Sequence, residues 1–187
     1  MRPRRWSRRR TARNPLGAVA TLAVIVLIAA VAALFLPPSS IIAGRAEAVD
    51  GDTLRIGGSR VRLLGLDAVE LDQQCRRNGV EWACGRDARQ FVADLLKAAE
   101  TSCASDGRDQ HGRVLARCRV SDRDVGEAIV RAGWAVADLE YAIPIAEARL
   151  HQRGIWSGEF DDPADWRRSH GDRGPSLWAW LRGLFGY

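Results

Sequence analysis

Three short clusters carry the side chains with which this chain could do chemistry. Val49-Asp50-Gly51-Asp52-Thr53 sets carboxylates on either side of a glycine. In Val61-Arg62-Leu63-Leu64-Gly65-Leu66-Asp67-Ala68-Val69-Glu70, Arg62 and Leu64 share one strand face and the chain leaves the sheet at Asp67, so Arg62, Asp67 and Glu70 can converge on one rim. Asp109-Gln110-His111-Gly112-Arg113 is a loop that delivers an arginine. Each has a plainer reading alone: Asp-Gly is usually only a turn, and a loop arginine is usually solvated. An EF-hand fails outright, since Arg55 and Val61 stand where its loop needs glycine and glutamate.

Together these residue types select one reaction. Asp52 and Asp67 offer hard oxygens for Ca²⁺, which accepts irregular shells completed by water and backbone carbonyls. Glu70 can act as a base on water, and Arg62 and Arg113 supply planar forks that match phosphate oxygens. Phosphodiester hydrolysis needs all three, because the attacking water must lose a proton while negative charge gathers on phosphorus.

The elements that must hold these residues are readable from periodicity. Residues 45–66 alternate (Ala46, Ala48; Leu54, Ile56; Val61, Leu63) around Asp50-Gly51 and Gly57-Gly58, a strand-turn-strand pattern. Gly85–Ala99 switches to a helical face of Ala88, Phe91, Val92, Leu95 and Leu96. Thr101–Ala104 and Val114–Val120 are expected strands around the arginine loop. Asp122 is the expected cap of a helix carrying Val125, Ala128, Ile129 and Ala132 and stopped by Gly133. Pro144 suits the first turn of a last helix running to about Arg153. The order implies a small barrel with packed helices.

The 28 Lys+Arg against 23 Asp+Glu give a net charge of +5, but seven arginines lie in the first fifteen residues and no acid precedes Glu47. Removing those seven leaves 21 bases against 23 acids, a net of −2, so the basic balance belongs to the tail. Leu16–Leu36 carries no charge over 21 residues, enough at ~1.5 Å per residue to cross a ~30 Å hydrocarbon layer as a helix. It is expected to be an uncleaved signal anchor with the arginines cytoplasmic and everything after it outside, the alternative being a cleaved signal peptide. An oxidising exterior makes disulfides the better reading of Cys75, Cys84, Cys103 and Cys118, which form no CxxC pair. Cys75 with Cys84 closes a short loop, and Cys103 and Cys118 lie equidistant from a hairpin tip near Gln110 and His111; free buried thiols are the alternative. The expected boundaries are a basic tail 1–15, the membrane helix 16–36, a linker 37–43, the folded domain 44–168 and a tail 169–187. In that tail Leu177, Trp178, Leu181, Leu184 and Phe185 fall at helical spacing and could meet either the bilayer interface or the barrel.

The series VDGDT, VRLLGLDAVE, DQHGR, VGEAIVRAGWA and RGIWSG, in order over about residues 43–160, resembles the staphylococcal nuclease (thermonuclease) family. The resemblance implies an α+β fold, an OB-fold five-stranded β-barrel with three helices, and a Ca²⁺-dependent nuclease acting on DNA and RNA to leave 3′-phosphates. It also implies residue roles: Asp52, Asp67 and the main-chain carbonyl of Ala68 as calcium ligands, Glu70 as general base, Arg62 and Arg113 on the phosphate, and Asp50 with Thr53 behind them. Two departures stand out. Val69 replaces a proline usual in that motif, which should free the loop holding Glu70. Gln110 and His111 stand where the type protein has Lys and Tyr.

The expectation is thus an extracytoplasmic, membrane-anchored, monomeric Ca²⁺-dependent nuclease whose partners are nucleic acid and the membrane. The alternative is a degenerate OB-fold domain that binds nucleic acid or envelope components without cleaving.

Overall fold

The computed structural model describes residues 15–35 and 40–170. It divides into one unit ending at Pro38 and a second beginning at Ser39. The basic stretch before Pro15, residues 36–39 and everything after His170, including the Leu177–Phe185 apolar set, lie outside the described residues.

The first unit contains α1 (Pro15–Phe35), a helix of 21 residues without a charge. The hydroxyl of Thr21 donates back to the Gly17 carbonyl at 2.9 Å, so this polar side chain is satisfied within the helix. Its side chains are described continuously only over Val19–Ile28, all exposed. Among the described residues no helix is long and apolar enough to cross a membrane. The structure gives a helix over Pro15–Phe35, where one is expected.

In the second unit the order is β1 (Ile41–Gly44), β2 (Ala46–Ala48), β3 (Thr53–Ile56), β4 (Ser59–Leu63), β5 (Leu66–Ala68), β6 (Cys75–Arg77), β7 (Val80–Trp82), α2 (Cys84–Leu96), β8 (Thr101–Arg108), β9 (Val114–Val120), β10 (Arg123–Asp124), α3 (Val125–Arg131), β11 (Ala135–Ala137), α4 (Ala142–Leu150) and α5 (Pro163–His170). The main sheet runs β1-β8-β9-β4-β3-β2, with β10 paired to β9; β5 pairs with β11, and β6 with β7. The sheet curls until β1 approaches β3, but its ladder does not close into a ring. An α+β, OB-like half-barrel with seven strands in its main sheet thus replaces the expected five-stranded barrel.

Local chemistry explains the boundaries. Gly57 and Gly58 both have positive φ, which gives the two-residue β3–β4 hairpin and sets Thr53 opposite Arg62. β1 begins inside the expected linker; its apolar residues, Ile41-Ile42-Ala43, are exposed or only partly buried, and its pairing with β8 defines it. β8 runs four residues beyond Ala104, through an exposed polar stretch with a register shift between Ser105 and Arg108. The cap of α3 is Asp124, whose Oδ1 accepts the Glu127 amide at 2.8 Å. Asp122, expected in that role, has φ 58° and forms the β9–β10 turn with Ser121, a backbone state Asp tolerates. A fourth helix, α5, joins the three expected ones.

Alternating β3, β4 and β9 residues (Leu54, Ile56, Val61, Val114, Ala116, Val120) meet Val92 and Leu96 of α2 and Val125, Ile129 and Val130 of α3 in the main core. A second cluster of Val69, Cys75, Cys84, Ala88 and Ile155, bordered by Trp134 and Trp156, lies under the loop that carries Glu70. Both expected disulfides are present, Cys75–Cys84 in the second cluster and Cys103–Cys118 across β8 and β9. Non-reducing peptide mapping of the native protein is expected to recover these two pairs; four alkylatable thiols would overturn both.

Candidate active site

The turn between β2 and β3 is built by Asp50. Its Oδ1 accepts the amides of Asp52 at 3.0 Å and Thr53 at 2.6 Å, an Asx turn that aims the next carboxylate inward. Gly51 lies against β5: a Cβ there would be 2.6 Å from the Cβ of Ala68, so only glycine allows this approach. Asp52 is consequently buried. Its Oδ1 accepts the Thr53 hydroxyl at 3.0 Å, and its Oδ2 accepts the Ala68 amide at 3.3 Å. Ala68 thus meets Asp52 through its N–H.

Arg62, opposite Thr53 in the β3–β4 register, bridges two elements. Its Nη1 lies 3.0 Å from Asp52 and its Nη2 donates to Asp67 Oδ1 at 2.8 Å. Asp52 and Asp67, fifteen residues apart in sequence, therefore converge on one cation. A second guanidinium, Arg167 from α5, completes the cluster. Its Nη1 donates to Asp67 Oδ1 at 2.9 Å and to Glu70 Oε1 at 2.7 Å, and its Nη2 to Asp67 Oδ2 at 2.8 Å.

Glu70 is held by its backbone. Its amide donates to Gln73 Oε1 at 3.1 Å, and its carbonyl accepts the Gln73 amide at 2.9 Å. Gln73 is itself buried, and its side-chain NH₂ donates to the Asp161 carbonyl at 2.7 Å, just before α5. Gly85 packs so closely that a Cβ would lie 1.8 Å from the Glu70 carbonyl. The Cys75–Cys84 disulfide closes the same loop. Val69 is buried, with its amide directed to the Trp134 carbonyl at 3.4 Å. Where the proline is missing, Gln73, the close approach of Gly85 and the disulfide hold the Glu70 loop.

Arg113 is set by its own loop. Asp109 Oδ1 accepts the amides of His111 and Arg113, each at 2.9 Å, and its Oδ2 accepts Arg113 Nε at 2.7 Å. These bonds fix the guanidinium at its base, and its terminal nitrogens bond to none of the described residues. Gln110 and His111 contact each other at 3.3 Å at the loop tip. Arg60, Arg62, Arg108, Arg113 and Arg167 line one cleft of about 1080 Å³, together with Asp50, Asp52 and Glu70. Asp67 lines a smaller adjoining pocket with Arg62.

Of the residues expected from sequence, Asp50, Asp52, Thr53, Arg62, Asp67, Ala68 and, through Arg167, Glu70 form one bonded cluster, and Arg113 lines the same cleft. Sequence reasoning misses Arg167 and Gln73. One of two adjacent glutamines in a polar run and an arginine about a hundred residues from its partners give no local pattern to find. Among the described residues no group of three or more His, Cys, Asp or Glu side chains could hold a metal. Asp52 and Asp67 alone make a two-carboxylate donor set, which suits Ca²⁺ with further oxygens from backbone and water.

Burial pushes the Asp52 carboxyl up to about 7, with Arg62 opposing and Asp50 adding to the rise. Burial would raise Asp67 as well, but the hydrogen bonds and charge of Arg167, then those of Arg62, outweigh it and hold the group below the usual carboxylate value. The signs of the two linkages differ. The folded state binds the Asp52 proton more tightly than the unfolded chain, so that contribution is complete below the ordinary 3.8 and is lost as pH rises through about 7. Asp67 contributes above its ordinary value and loses that contribution on acidification below it. In chelator, urea melts should show wild-type stability falling relative to Asp52→Asn between about pH 4 and 7; a flat difference would contradict the assignment.

Residues 60–158 match the family described as Staphylococcal nuclease homologue. The chain is also similar to the succinoglycan biosynthesis protein ExoI of Rhizobium meliloti (strain 1021), with 33% identity over 143 residues, covering 72% of this chain and 75% of that protein. The family match includes Arg62, Asp67, Glu70 and Arg113 and begins after the Asp50–Thr53 turn, and on these findings the chain belongs to the staphylococcal nuclease homologue family.

Proposed function

We propose that the second unit is a phosphodiesterase of the nuclease type, acting on DNA or RNA in a Ca²⁺-dependent reaction. The observation that carries this reading is the convergence of Asp52 and Asp67 on Arg62 at a cleft that also receives Glu70 and Arg113. Five arginines on that cleft favour a polyanionic substrate even though the unit is not basic overall.

Asp52 and Asp67, with the Ala68 carbonyl, would hold the ion. Bound there, Ca²⁺ would supply Lewis-acid polarisation of a phosphoryl oxygen. Glu70 takes a proton from water as the water oxygen bonds to phosphorus, and the P–O5′ bond breaks to leave a 3′-phosphate and a 5′-oxygen that takes a proton from solvent, to which Glu70 afterwards gives up its own. Arg62 and Arg113 donate to the equatorial oxygens, where charge accumulates. Asp50 and Thr53 act through Asp52, the first by shaping its turn and the second by its hydroxyl bond.

Glu70→Gln should slow cleavage of a synthetic oligonucleotide by about 10²–10⁴. Arg113→Ala should cost about 10²–10³, as the loss of an oxyanion donor does. Wild-type rates in both variants, or undiminished cleavage in excess EGTA, would sink these residue roles. A non-cleaving, nucleic-acid-binding domain is favoured by one observation, the Arg167 bond to Glu70 Oε1. Retention of oligonucleotide without turnover at saturating Ca²⁺ would support it.

The same reading puts this unit outside the cytoplasm, tethered by α1, as a monomer. Its support is the charge-free α1, the seven arginines that precede it and two disulfides. Fractionation of cells expressing the full chain should recover it with membranes after a carbonate wash; a soluble product would remove the tether.

A further inference from the structure

Arg167 does what a divalent cation would do at this site. One guanidinium occupies both oxygens of Asp67 and the Oε1 of Glu70 through three bonds of 2.7–2.9 Å. These charge-assisted bonds to two carboxylates are the strong kind, and the two on Asp67 form a fork on a single carboxylate. Asp67 has no oxygen left over, since its Oδ1 also accepts from Arg62. The arginine is delivered by a short helix with few anchors: Asp162 Oδ1 accepts the Ala164 amide at 2.9 Å, Pro163 is buried, and the Gln73 side chain holds the preceding Asp161 carbonyl. Beyond Pro163 the helix is half-buried or exposed. Arg167 is thus a tethered charge on a rim element, with its own side chain 39% accessible.

We propose that Arg167 is a positioning residue that holds Asp67 and Glu70 by occupying the place of the divalent cation, so that the cation binds Asp67 only by displacing it. The proposal rests on the reading of Asp52 and Asp67 as the cation ligands. The physical reason is exclusion of like charge. A guanidinium within 3 Å of both Asp67 oxygens repels a Ca²⁺ brought to the same oxygens, the more so in a partly buried cluster that already contains Arg62. Apparent affinity then falls by the fraction of molecules in which Arg167 is disengaged, which is a factor of about 10–100 if that fraction is 1–10%. Arg167 has a second consequence: while engaged, it holds one of the two Glu70 carboxylate oxygens, Oε1, so that displacing it from Asp67 also changes the surroundings of the base.

The test is Ca²⁺ titration of the full chain in detergent micelles by calorimetry, comparing wild type, Arg167→Gln, Arg167→Lys and Asp67→Asn, with thermal melts in chelator and in saturating Ca²⁺. Arg167→Gln should bind Ca²⁺ about 10–100-fold more tightly than wild type. It should also melt lower than wild type in chelator while gaining more from Ca²⁺, a divergence that a purely structural arginine would not produce. Arg167→Lys keeps the charge without the fork and should fall between the two; it carries the test if Arg167→Gln does not fold. Equal or weaker Ca²⁺ binding in Arg167→Gln, with binding lost in Asp67→Asn, would overturn the proposal and leave the calcium reading standing. No Ca²⁺ binding by wild type or either Arg167 variant would overturn both.

Discussion

Burying the carboxylate of Asp52 is the constraint on which the rest of the site depends. An ionised group out of water is tolerated only where cations and hydrogen bonds replace the solvent. Each nearby feature answers that demand. The Asx turn of Asp50 aims the side chain, the Ala68 amide and Thr53 hydroxyl bond to it, and the β3–β4 register brings Arg62 to it. Because Arg62 has a second nitrogen to satisfy, the same geometry draws in Asp67. The short β3–β4 hairpin with its two glycines is therefore part of the site as well as of the fold.

The two rims are made differently. Arg113 is rigid through contacts within five residues, all of them with Asp109. Glu70 depends on distant parts of the chain: Gln73 ties it to Asp161, Gly85 lets α2 press against its carbonyl, and Arg167 grips its carboxylate. A local loop fixes the Arg113 side, and tertiary packing fixes the Glu70 side.

This difference also governs what is legible in the sequence. β9 can be read to the residue because its alternation continues unbroken from Val114 to Val120, and the acidic and arginine clusters can be read because charged residues at strand ends stand out. The two disulfide pairs follow from loop length and hairpin symmetry. What stays hidden depends on pairing at a distance: β1 takes its identity from β8, the α3 cap passes from Asp122 to Asp124 once a tight turn claims the former, and the strand count rises because short β5, β6, β7 and β11 have only partners to define them. Gln73 and Arg167 belong to the same class. Their importance lies in what they touch: Arg167 reaches Asp67 and Glu70 about a hundred residues back, and Gln73, only three residues from Glu70, links it to the distant Asp161.

The position of Arg167 near the end of the described chain bears on the order in which the molecule is made. Ribosomes deliver Asp52, Asp67 and Glu70 about a hundred residues before the arginine that neutralises two of them. Any nascent or truncated species that stops short of α5 carries those acids with Arg62 as their one guanidinium partner from the cluster. The acidic rim of Asp52, Asp67 and Glu70 therefore gains its second guanidinium only with α5, and a chain clipped between Gly158 and Arg167 would lack the partner that holds two of those carboxylates in the intact protein.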